Sequence, residues 1–212
     1  MKKILSTIAA FTVILSASAV SAQSIGVAIG GAYPIEQESF GFSSSATFNI
    51  PINPLFAVGV EGGFDWMKKD IKADDAQAFG DFNAPSSYSE NMYTFPVLVN
   101  ATFIVPTGEG DEAAFNPFIR LGAGYGWALY RSDLEGADDY TFSGLAYQGV
   151  IGALINPGEA AQGMKVIVEA GYRGTDFKTD IDIAGVTKSV KLDMNSAFVR
   201  VGVSFNLGGD DF

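Results

Sequence analysis

The stretch from Ala197 to Leu207 fits its own pattern in one regular structure only. Val199, Val201, Val203, Phe205 and Leu207 alternate with Phe198, Arg200, Gly202, Ser204 and Asn206. Successive side chains of a strand point to opposite faces, so this segment has one bulky apolar face and one mostly polar or small face. The same period of two recurs seven more times between residues 25 and 177. No stretch after the first two dozen residues approaches the run of about 20 apolar residues that a membrane helix needs. The chain is therefore read as all-β, and if it crosses a bilayer it does so with strands.

Taken in order, the expected strands are Ile25 to Tyr33, Phe40 to Ile50, Leu55 to Met67, Asn91 to Val105, Pro117 to Tyr130, Tyr140 to Ile155, Met164 to Phe177 and Ala197 to Leu207. Phe42, Ala46, Phe48 and Ile50 share the apolar face of the second. Pro51-Ile52-Asn53-Pro54 reads as a tight turn. Pro96 is awkward within a strand and predicts a local bulge. Ile167 interrupts an otherwise polar face. Residues 68–90 and 178–195 read as polar loops. Eight strands is an even number, with the longer connections mostly after the odd ones.

Residues 1–22 carry the marks of a cleaved secretory signal. Lys2 and Lys3 precede a short apolar run, and Val20-Ser21-Ala22 supplies small residues at the cleavage position. Residues 23–212 then form one domain. Without Lys2 and Lys3, 11 Lys and Arg face 24 Asp and Glu, a net charge of −13, which gives no footing for nucleic acid. An exported chain without cysteine has no disulfides, and a closed hydrogen-bonded ring is one alternative source of stability.

The two faces decide what the ring encloses. The polar face is rich in Gly, Ala and Ser, which suits the crowded interior of an eight-stranded barrel. The apolar face is bulky and continuous, a hazard in water but expected against lipid. With the N-terminus on the periplasmic side, Tyr33, Trp66, Tyr93, Trp127 and Tyr172 have lipid parity near the outer rim. Phe48, Phe56, Phe103 and Phe205 have lipid parity near the inner rim. Two aromatic belts are what membrane interfaces favour. The expected fold is an eight-stranded antiparallel up-and-down transmembrane β-barrel.

Arg200, Gly202, Phe205 and Leu207 follow the spacing polar, x, Gly, x, x, hydrophobic, x, hydrophobic. This resembles the C-terminal signature by which outer-membrane barrels are recognised for insertion. Across residues 23–212 the chain resembles the small outer-membrane proteins of the OmpA-barrel and OmpX type. The resemblance implies an outer-membrane location in a diderm bacterium and insertion by the barrel-assembly machinery. It also implies contact with outer-membrane lipids and lipopolysaccharide, as a monomer. No peptidoglycan-binding domain follows the last strand, so that activity is not carried over.

Charged residues with lumen parity are Glu61, Asp65, Arg120, Glu169, Arg173 and Arg200. Glu61, Arg120, Glu169 and Arg200, with Asn100 and Gln148, are expected to form an ion-pair network that plugs the barrel, since unpaired buried charge is costly. The alternative is a polar lining for a narrow pore. No catalytic, cofactor-binding or metal residues are assigned. The barrel-shaped deacylases, proteases and phospholipase of the outer membrane use a histidine base, and this chain has no histidine. Asp74-Asp75, Asp138-Asp139 and Asp180/Asp182 read as solvated acid rather than divalent-cation sites. Gly122 to Gly126 lacks the lysine and helix of a phosphate loop. The expected protein is a non-enzymatic barrel serving envelope integrity or surface contact through its outer loops. A soluble periplasmic carrier of the lipocalin kind is the alternative from another class.

Overall fold

The computed structural model describes residues 23–72, 87–107, 114–133, 139–158, 163–183 and 186–207. Residues 1–22, expected to be a signal segment, Asp74, Asp75, Asp138 and the tail beyond Leu207 lie outside them. Nine strands are found among the described residues: β1 (Ser24–Pro34), β2 (Gly41–Asn53), β3 (Phe56–Lys72), β4 (Ser87–Ile104), β5 (Phe115–Ser132), β6 (Tyr140–Ile155), β7 (Met164–Ile183), β8 (Val186–Leu192) and β9 (Ser196–Asn206).

Eight of them close a ring. Each strand from β1 to β7 pairs antiparallel with the next, β7 pairs with β9, and β9 pairs with β1. The seam runs from Ser24↔Asn206 to Pro34↔Ser196 without a break. Leu207 N then donates to Gln23 O at 2.7 Å, so both ends of the ring lie on one rim. We call that rim inner and the opposite one outer, as in barrels whose longer connections face the outside.

Four expectations need correction. The segment 178–195, read as a loop, contains β8, which forms a hairpin with an extension of β7 from Phe177↔Leu192 to Ile183↔Val186. The segment 68–90 is likewise partly strand, with β3 and β4 paired out to Lys72↔Ser87. Above the rim neither face meets lipid, so the apolar alternation that marked the other strands is diluted by lysines and acids. At Pro96 there is no bulge. The β3–β4 pairs stop at Gly62↔Val97 and resume at Asp65↔Thr94 in the same register. Proline has no N–H to give the ladder, which explains a gap without an inserted residue. The register shift falls instead at Pro51/Asn53, and neighbouring Ile50, expected on the lipid face, is buried.

The outward faces carry the apolar residues, with Ile29, Leu145 and Ile151 each more than 60% exposed. The inward faces carry Ser43, Thr47, Thr94, Thr102, Thr175 and the buried charges. This is the reverse of a soluble carrier with an apolar lumen. Gly202 shows why a small residue is needed at the seam: a Cβ there would collide with the Val27 carbonyl oxygen of β1.

Candidate functional site

Strand parity sends Glu61 and Asp65 inward from β3, Arg120 from β5, Gln148 from β6, Glu169 and Arg173 from β7 and Arg200 from β9. All are buried. Glu61 is the hub. Its Oε1 accepts from Arg200 Nη2 at 3.2 Å and Arg173 Nη2 at 3.5 Å, and its Oε2 accepts from Gln148 Nε2 at 2.6 Å and Arg120 Nη1 at 3.5 Å. Glu169 accepts from Arg200 Nε at 2.7 Å and Arg120 Nη1 at 3.2 Å. Arg173 also reaches Gln148 Oε1 at 3.0 Å and pairs with Asp65, which accepts further from Ser43 Oγ at 2.6 Å and Thr94 Oγ1 at 3.1 Å. Three guanidinium groups thus meet three carboxylates, and the arrangement is neutral as a whole.

Of the six residues expected in the network, Glu61, Arg120, Gln148, Glu169 and Arg200 come together. Asn100 does not: neither its Oδ1 nor its Nδ2 has a partner among the described residues. Asn100 lies opposite Gly59 on one side and Gly122 on the other. Asp65 and Arg173, which share the lumen parity, are full members. Arg173 Nε and Arg200 Nη1 are buried donors without partners among the described residues.

Apolar layers flank the ion pairs. Further out, Met67, Met92, Leu98, Ala128, Phe142, Ala146, Phe177 and Met194 form one cluster. Met194 belongs to the β8–β9 connection, which is tied down where Met194 N donates to Thr175 Oγ1 at 3.0 Å and Gln37 Nε2 donates to Asp193 O at 3.0 Å. Phe118, Val150 and Ile167, each one step inward of Arg120, Gln148 or Glu169 on its own strand, cluster with Phe198 and Ala32, which lie on the outward side of Arg200. This gives Ile167 its role as an interior apolar contact. Arg200 Cζ lies 4.1 Å from the Phe198 ring centre and Arg120 Cζ 5.1 Å from that of Phe118, within cation–π range. Sequence reasoning missed these layers, although Phe118 and Phe198 share the parity of Arg120 and Arg200.

On the outside, Tyr33 and Tyr172 both lie opposite Ala197, and Trp66 lies opposite Tyr93. Tyr33, Trp66, Trp127 and Tyr172 are exposed, and Tyr93 is partly so. Near the inner rim Phe48 and Phe205 both flank Ile25, and the rings of Phe56 and Phe103 are 5.0 Å apart. Of the insertion-signal residues, Arg200 points inward with Gly202, while Phe205 and Leu207 are exposed. Gly122 to Gly126 is part of the β5 wall. Asp139 pairs with Arg131 at 3.1 Å in solvent, and Asp180 is exposed. Among the described residues no group of three or more His, Cys, Asp or Glu is placed to hold a metal ion.

The family model for the outer membrane protein beta-barrel domain matches residues 7–206. No curated protein is significantly similar in sequence. Among solved structures, the outer membrane protein OprG from Pseudomonas aeruginosa superposes with a TM-score of 0.61 at 12% identity, covering 91% of this chain and 99% of that one. Neisserial surface protein A gives 0.54 at 13% identity, covering 88% and 96%. A major outer membrane protein from Thermus thermophilus gives 0.51 at 12% identity, covering 88% and 98%. At such identities the likeness speaks for the fold, and the family model speaks for the location: a closed antiparallel ring with apolar residues outside and charges inside, this chain belongs to the outer membrane β-barrel domain family and resides in the outer membrane.

Proposed function

We propose that the protein is a non-enzymatic outer-membrane barrel with a plugged lumen, serving envelope integrity or surface contact through its outer connections. The observation that carries this reading is the neutral set of three arginines and three carboxylates buried at mid-barrel. An ion passing through must part pairs whose disruption costs about 3–5 kcal/mol when a buried partner is left alone. The apolar layers on either side offer a passing ion no polar partner. Eight strands leave a lumen only just wide enough for side chains. The lack of histidine removes the usual base of nucleophilic hydrolysis.

The partners that fit are outer-membrane lipids and lipopolysaccharide along the apolar wall, and the barrel-assembly machinery during insertion. The chain acts as a monomer in this reading, because the ring closes on itself and leaves no open sheet edge within the bilayer. A narrow pore is the second reading. It is favoured by the unpartnered Asn100 amide, Arg173 Nε and Arg200 Nη1, since buried polar atoms of this kind call for water.

Conductance in a planar bilayer separates the two, with the protein measured beside Arg120→Ala. The plug predicts a silent wild type and a leaky variant. Steady wild-type conductance overturns the plug and makes Glu61, Arg120, Glu169 and Arg200 selectivity residues.

A further inference from the structure

A second constellation lies at the outer mouth, beyond the level of Trp66, Tyr93 and Trp127. The face of β4 that carries Met92 inward also carries Glu90 and Tyr88, and the matching faces of β5 and β6 carry Tyr130 and Tyr140. Register places Tyr130 between Met92 and Tyr140, and Glu90 one step further out opposite Ser132. Tyr130 and Tyr140 are partly buried against the outer apolar cluster. The Tyr130 hydroxyl donates to Glu90 Oε1 at 2.5 Å. Burial, and then the Glu90 charge, raise the Tyr88 hydroxyl above its ordinary value. Tyr88 and Tyr130 thus meet at one carboxylate, with Tyr140 on the next strand beside Tyr130, over a floor that includes Met92 and Phe142.

We propose that this mouth binds a quaternary ammonium group. A ring face attracts a cation within about 6 Å of its centre, and aromatic groups with a nearby carboxylate suit a cation that carries methyl groups instead of N–H donors. The methyls pack on the rings and the floor, and Glu90 supplies the balancing charge. A hard inorganic cation fits poorly, because it takes about six or more oxygen ligands and Glu90 gives one carboxylate. Lys69 lies opposite Glu90 in the β3–β4 register, so a lysine on the neighbouring strand is the competing cation. The proposal rests on reading the outer end as the contact surface and is independent of whether the lumen conducts.

The test is titration of the full mature protein with tetramethylammonium in a maltoside detergent, free of choline-type surfactants, read by tyrosine-ring NMR shifts. Choline and its neutral carbon analogue 3,3-dimethylbutanol are compared on the same sample. The expected result is saturable binding of both ammonium ions and at least about tenfold weaker binding of the neutral analogue. Glu90→Gln and Tyr130→Leu weaken binding, Tyr130→Phe keeps it because the ring remains, and Lys69→Met tightens it. Should Tyr130→Leu fail to fold, Tyr140→Leu takes its place. Equal binding of the neutral analogue, or no loss in the ring-deleted variant, overturns the proposal. Flotation of protein-bearing nanodiscs with phosphatidylcholine or phosphatidylglycerol vesicles distinguishes the source. Selective flotation with phosphatidylcholine assigns a lipid headgroup, and binding of choline without it assigns the free ion. No binding of any quaternary ammonium, with the wild type silent in the bilayer, sinks this inference and leaves the plug standing.

Discussion

Glu169 and Arg200 are register partners across the β7–β9 ladder, and the Arg200 Nε donates to Glu169 Oε1 at 2.7 Å. The pair therefore sits on the strand that closes the ring, and Arg200 carries the link on to Glu61 on the far wall. Pairing strength and ring closure are coupled through one side chain.

Glu61 is the residue whose loss should cost most. Glu61→Ala leaves Arg120, Arg173 and Arg200 short of an acceptor, and the expected destabilisation is about 3–5 kcal/mol. Urea unfolding from lipid vesicles, followed by tryptophan fluorescence, measures it. The double variant Glu169→Leu with Arg200→Met should cost less than Arg200→Met alone, because it leaves one fewer unpaired charge. With Glu169→Leu alone as the third variant, losses that simply add would mean that the pair is not energetically coupled.

Gly202 is predicted to be intolerant of any side chain. Gly202→Ala pushes a methyl against the Val27 carbonyl at the β1–β9 seam, and overpacking of this kind costs about 1–3 kcal/mol. A slower appearance of the folded, heat-modifiable band on unheated gels is the expected readout. Wild-type folding rates in this variant would show that the seam can widen without penalty.

Met194 closes the outer apolar cluster from the β8–β9 connection. Met194→Ala should cost about 2–5 kcal/mol if the packing is as tight as in a soluble core. Its conductance should also rise when combined with Arg120→Ala, beyond that of Arg120→Ala alone. A double variant no leakier than the single one would remove the cluster from the barrier.

The chain holds two tryptophans, Trp66 and Trp127, both exposed near the outer rim. Lipids brominated close to the headgroup should quench their fluorescence more than lipids brominated near the chain ends. Stronger quenching by the deep bromines would displace the outer aromatic belt from the interface.

Much of this was legible in the sequence, for a physical reason. Period two states which side chains share a face, so Glu61, Arg120, Glu169 and Arg200 could be assigned to the interior before any contact was known. Parity says nothing about which side chains reach one another across the lumen, so it gives Asn100 to a network in which its amide finds no partner among the described residues. Nor does it give depth. Phe118, Phe142, Phe177 and Phe198 share the polar face by parity, yet their gathering into two clusters around the ion pairs depends on strand stagger. β8 was missed because Lys188 breaks the face shared by Val186, Val190 and Leu192, outside the membrane, where no lipid demands an unbroken apolar face.

The seam joins Ser24 to Asn206, and almost the whole ring lies between them. A contact between such distant positions is slow to form, because the intervening chain must first surrender its freedom. Export delivers the N-terminal partner first and the C-terminal partner last. Until Asn206 arrives, β1 has an open edge that invites pairing with any other strand. The interval between emergence of the first strand and docking of the last is thus when this protein is most exposed to aggregation, and a helper that holds the chain is needed then.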